Sequence, residues 1–204
     1  MKKAHIATIV ISFMCTSISH AQLQFASVKI NNQGQNNIPR ISWSLPLSVY
    51  KSRISESAVF VSGVVLRNEG VIYDYQGDRF KKRALSIGPS VSIVGKIGEG
   101  MIYSLGLGLD YNFHYKEKTF VDKERKQKEV TLREWGSNRV NKLNYSAKVG
   151  IGSSNGLYIY GEYFFREFLN RDFTETVEGV QTKPYENLSI NRFNIGIGFI
   201  LQKN

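Results

Sequence analysis

The segment 101–115, MIYSLGLGLDYNFHY, alternates with a period of two. Its odd positions are Met101, Tyr103, Leu105, Leu107, Leu109, Tyr111, Phe113 and Tyr115. Its even positions are Ile102, Ser104, Gly106, Gly108, Asp110, Asn112 and His114. Side chains of a strand point to opposite faces in turn, so this segment predicts one apolar wall and one small or polar wall. Leucines in the middle of the apolar wall and aromatics at its ends dress a strand that crosses a bilayer.

The pattern recurs along the chain. In 40–51, Ile41, Trp43, Leu45, Leu47 and Val49 alternate with Ser42, Ser44, Pro46 and Ser48. In 83–95, Leu85, Ile87, Pro89, Val91 and Ile93 oppose Ala84, Ser86, Gly88, Ser90 and Ser92. Segments 141–152 and 157–168 repeat it, and the last one sets Phe193, Ile195, Ile197, Phe199 and Leu201 against Arg192, Asn194, Gly196 and Gly198. Opposite the apolar face stand Ser and Gly more often than Lys and Glu, which favours lipid over water as the outer solvent. Segment 58–72 is apolar on both faces, which leaves its orientation open, and a β-bulge near Gly70 would change its phase. Segment 23–30 alternates weakly and is taken as the first strand to complete the count. Pro46 and Pro89 each remove a ladder hydrogen bond, so both belong at bulges or edges.

Gaps between these strands fall at 31–39, 52–57, 73–82, 96–100, 118–138, 153–155 and 170–187. Every second gap is short, and the others are long and charged, as in barrels with short periplasmic turns and long outer loops. The expected fold is all-β: an eight-stranded antiparallel up-and-down transmembrane β-barrel.

The N-terminus predicts the same destination. Lys2 and Lys3 precede an apolar stretch, 6–14, and Ser19-His20-Ala21 offers small residues for signal peptidase. Residues 1–21 are thus expected to be a signal peptide and 22–204 the barrel, located in the bacterial outer membrane. Cys15 would leave with the leader, so no disulfide or cysteine metal site is expected. Composition agrees: the chain is 42% hydrophobic with a mean hydropathy of −0.25. No segment after the leader is long and apolar enough for a membrane helix. The net charge of +10 is dispersed, and in an exported chain it points to anionic lipid headgroups and not to nucleic acid.

An eight-stranded barrel is filled by side chains, so the inward charges should pair. Asp110, Lys148, Glu162, Arg166 and Arg192 are expected to form that lumen network. The loop 118–138, KTFVDKERKQKEVTLREWGSN, carries Lys118, Lys123, Arg125, Lys126, Lys128 and Arg133, a basic patch for lipopolysaccharide phosphates or a surface partner. Asn194, Gly196, Phe199 and Leu201 match the C-terminal signal that the barrel-assembly machinery reads during insertion. No catalytic residue, metal cluster or cofactor motif is expected. His114 is the one histidine beyond the leader, and Lys116 stands where a deacylase-like His-x-Ser arrangement needs serine.

The tracts LRNEGVIYD (66–74), RALSIGPSVS (83–92) and FHYKEKTFVD (113–122) resemble those of small outer-membrane β-barrel proteins of the Bacteroidota, in the broad group that includes PorT-like proteins. That resemblance implies a barrel and, for PorT-like members, an association with secretion across the outer membrane. The expected role is structural or surface-interacting. An accessory role in secretion or envelope assembly is the alternative, and lipid-A modification the third.

Overall fold

The computed structural model describes residues 20–120, 128–154 and 157–199. Eight antiparallel strands close into one ring. They are β1 (His20–Ile30), β2 (Arg40–Arg53), β3 (Ala58–Tyr75), β4 (Asp78–Ile97), β5 (Met101–Phe120), β6 (Leu143–Ser153), β7 (Leu157–Phe164) and β8 (Leu188–Phe199). Each pairs with its neighbours in sequence, and β1 returns to β8 from Gln22↔Gly196 to Ile30↔Leu188. Segment 23–30 is therefore a true strand, the one that seals the ring and removes its open edges. Most of the expected leader lies outside the described residues.

The burial pattern is that of a water-soluble protein turned inside out. Ile41 is 78% exposed and Leu107 62%, whereas Glu69 and Asn194 in the interior are 0% exposed. Apolar side chains left outside and charges taken inside identify hydrocarbon as the solvent of the outer wall. Aromatics thicken that wall toward the end bearing the long loops. There Tyr145 stacks on Phe165 (5.7 Å), and Phe113 on Trp135 (5.8 Å).

Within the ladders of the ring, two single-residue bulges control which way the strands face. Between β4 and β5 the ladder steps from Leu85↔His114 to Ser86↔Asn112, leaving Phe113 as an extra residue. One added residue exchanges the two faces of everything beyond it. Tyr115, expected on the lipid wall, is consequently fully buried inside, and His114, expected on the polar wall, lies outside. In β2 the extra residue is Leu47, beside Pro46, so Val49 pairs with Gly63 on the inward parity. No bulge occurs at Gly70: β3 and β4 stay in register from Ala58↔Gly95 to Tyr75↔Asp78. Pro89 and Gly88 are passed over in the β4–β5 ladder, which spares it the missing proline N–H. Here the backbones press together, and a Cβ on Gly88 would stand 1.7 Å from the Leu109 carbonyl oxygen.

The expected loop 73–82 is not a loop. β3 and β4 run on to a two-residue turn, Gln76 (φ 53°) and Gly77 (φ 90°), the left-handed pair of a tight hairpin. Tyr73 stacked on Phe80 (5.4 Å) and Asp74 paired with Arg79 (2.7 Å) hold the extension together. The segment 118–138 is likewise partly strand: Lys128–Trp135 pairs with the outer half of β5.

Candidate functional site

The lumen is filled in three tiers. At the short-turn end, Ile102, Tyr158 and Tyr160 pack together, and the Tyr160 hydroxyl donates to Gln22 Oε1 (2.9 Å). Lys148 points at this tier, its Nζ 5.2 Å from the Tyr160 ring centre, and makes no ion pair among the described residues.

The middle tier is ionic. Arg67 Nη1 donates to Glu162 Oε1 at 2.6 Å, and Arg67 Nε lies 3.2 Å from Asp110 Oδ1 without hydrogen-bond alignment. Ser146 Oγ donates to the same Glu162 oxygen (2.9 Å). Glu69 pairs with Arg192, whose guanidinium also sits over the rings of Phe164 (4.4 Å) and Phe168 (4.8 Å). Arg40 donates to Gln24 Oε1 (3.1 Å) and to Asn68, and Gln24 Oε1 accepts from the Gly70 N–H (2.8 Å). Seven strands thus meet across the axis: β1, β2, β3, β5, β6, β7 and β8. An unpaired charge here would be costly, and each carboxylate named has an arginine beside it.

The third tier is a cap. After β7 the chain turns inward, and Phe168, Leu169 and Tyr185 join Val28, Val71, Tyr73, Tyr115, Val140 and Ile190 in one apolar cluster. Asn141 Nδ2 donates to the carbonyls of Glu167 (2.7 Å) and Leu169 (2.9 Å), which pins the entering segment. Above this core lies a second polar knot. Glu117 accepts from Lys82 (2.9 Å), Tyr115 (2.5 Å) and Tyr185, while Arg139 reaches Tyr185, Glu134 and Glu175. Burial, then the Glu117 charge, pushes the Tyr185 phenol well above its usual range. Burial opposes the Arg139 charge, but its bonds to Tyr185 and Glu175 prevail and hold it above the ordinary arginine value.

Of the lumen residues expected from sequence, Asp110, Glu162 and Arg192 occupy the ionic tier and Lys148 borders it. Arg166 does not. β7 ends at Phe164, the alternation stops with it, and Arg166 is exposed at the rim, donating to the Leu143 carbonyl (3.3 Å). Arg67 and Glu69, the partners of this tier, were missed because their strand is apolar on both faces. The unbroken apolar positions of β4, its neighbour in register, could have fixed their direction. Of the basic patch, Lys118 and Arg133 stand on the outer wall, the side chain of Lys128 is not described, and Lys123, Arg125 and Lys126 lie outside the described residues. Asn194 and Gly196 face the lumen from β8, Phe199 ends that strand, and Leu201 lies outside the described residues.

No protein-family profile and no curated protein matches the chain. Among solved structures it is similar to Ail, the attachment invasion locus protein of Yersinia pestis, at 15% identity over 90% of this chain and 95% of that one, with a TM-score of 0.38. A complex of the same protein with the heparin analogue sucrose octasulfate gives 16% identity, the same coverages and a TM-score of 0.40. The outer membrane enzyme PagL gives 11% identity over 89% and 99%, with a TM-score of 0.45. Ail and PagL are outer-membrane β-barrel proteins, and what each does remains specific to it.

Proposed function

We propose that this protein is a closed barrel of the bacterial outer membrane that acts through its outer rim, as a structural or surface-interaction protein, without catalysis or bulk diffusion. The observation that carries the reading is the lumen blocked at three levels, with Arg67 held between Asp110 and Glu162 at its centre. In this orientation the short turns face the periplasm and the long loops face outward, beside lipopolysaccharide. The barrel-assembly machinery inserts such a chain, and a surface or secretion partner would meet the loop end. His114 supports a non-catalytic role: its ring sits edge-on to Trp135 (4.7 Å), and neither a carboxylate nor a hydroxyl bonds to it among the described residues.

Purified protein reconstituted in planar bilayers is expected to give no stepwise conductance; stable open steps would overturn the reading. Deleting the gene should leave secreted proteins and lipid A mass unchanged. Lost secretion would favour the accessory role implied by the PorT-like resemblance, and altered lipid A would favour an enzyme.

A further inference from the structure

Past the lipid belt, β4, β5 and the strand Lys128–Trp135 continue as a three-stranded ribbon. Its register sets Arg83 opposite Lys116, and Lys116 opposite Arg133. The extra residue at Phe113 puts Lys116 and Lys118 on the same outer face as Arg83 and Arg133. Like charges directly opposite on neighbouring strands repel, so this row costs the fold something and offers nothing in return within the chain. Arg133, Lys118 and Arg83 all act electrostatically on Lys116, and Arg133, Lys116 and Arg83 on His114, with no acid among the influences on either.

Four carboxylates of this end, among the described residues, are engaged elsewhere. Glu117 is taken by Lys82, Glu134 and Glu175 by Arg139, and Asp74 by Arg79. Among the described residues, Arg83, Lys116, Lys118 and Arg133 form no ion pair. Height decides what the row can meet. At a rise of about 3.3 Å per residue, Lys116 stands only some 7 Å above His114 and the 73%-exposed Trp135, which belong to the aromatic girdle. That is headgroup level, on the side of the barrel turned toward lipid.

We infer that Arg83, Lys116, Lys118 and Arg133 form a binding site for the phosphate groups of an anionic glycolipid packed against the outer wall. Arginine forks and lysine ammonium groups both serve phosphate oxygens, and Trp135 with Phe113 supplies an apolar floor for the rest of the lipid. The inference rests on the outer-membrane reading above and names the ligand that reading leaves open.

Trp135 is a built-in reporter. In a Trp43→Phe background, its emission would be followed while detergent-solubilised protein is titrated with diphosphoryl lipid A, with the same lipid after phosphate removal, and with inorganic phosphate. Saturable change with the diphosphoryl lipid alone is expected, weakened at least about ten-fold in R83Q/K116Q/K118Q/R133Q. Equal binding of the dephosphorylated lipid, or unchanged affinity in the quadruple variant, would overturn the site. A response to inorganic phosphate at similar affinity would make it a free-anion site and also overturn it. Heat-modifiable migration on gels verifies that each variant is folded. If the quadruple variant is not, Lys116→Gln with Arg133→Gln carries the test, and Arg83→Lys with Arg133→Lys must retain binding. No response to diphosphoryl lipid A from the folded, non-conducting barrel with all four basic residues intact would sink this inference and leave the closed-barrel reading standing.

Discussion

The ionic tier and the apolar cap close the same lumen by opposite means. In the middle, rigid strands fix the facing of every residue, so the charges of Arg67, Glu69, Asp110, Glu162 and Arg192 are neutralised by one another. At the loop end the chain leaves the sheet, and Phe168, Leu169 and Tyr185 fill the mouth as a small conventional core. The first is held by neutralisation that tolerates no missing partner. The second is held by contact area and can relax when part of it is removed.

The largest effect should come from Arg67→Ala, which strands Asp110 and Glu162 together in the interior. A loss of about 3–5 kcal/mol in urea titrations from lipid vesicles is expected. Neutralising the whole group with Arg67→Met, Asp110→Asn and Glu162→Gln should recover most of it; a triple variant no better than Arg67→Ala would show that packing, not charge, governs this tier. Phe168→Ala should cost about 3 kcal/mol by opening the cap, since the segment carrying it can partly collapse into the space. Bilayer conductance should stay absent in that variant, because Arg192 loses one of its two rings but keeps Phe164 and Glu69, and the Arg67 group stays in place; open steps would make the cap the true seal. Tyr185→Phe is the mildest change. It deletes a hydroxyl that donates to Glu117 and accepts from Arg139, and should cost about 1 kcal/mol by the same titration.

The ring was legible in the sequence because membrane strands obey a period of two with an unusual choice of polar residues. Ile41, Leu85, Leu107 and Ile197 announce their own direction. Two kinds of information were hidden. The bulges at Leu47 and Phe113 come from a mismatch between neighbouring strands, which no single strand encodes, so Tyr115, His114 and Val49 were assigned to the wrong faces. The second loss was in β3, where Arg67 and Glu69 interrupt an otherwise apolar strand and resemble solvated residues until β5, β7 and β8 are brought round them. The hairpin at Gln76–Gly77 was missed because its flanking charges, Asp74, Asp78 and Arg79, suit open solvent whether or not the backbone is paired. The cap was invisible for a plainer reason: Phe168, Leu169 and Tyr185 follow no period, and only the contacts reveal that they turn inward.

The extra residue at Phe113 also sets what insertions and deletions this barrel can absorb. Its projecting ribbon could grow or shrink by pairs of residues and keep every side chain on its present side. Removing Phe113 alone would present Tyr115 and Glu117 to the bilayer and drive Lys116 into the sealed mouth. Changes of length in this part of the chain are therefore counted in twos, a rule imposed by geometry before any ligand exerts a preference.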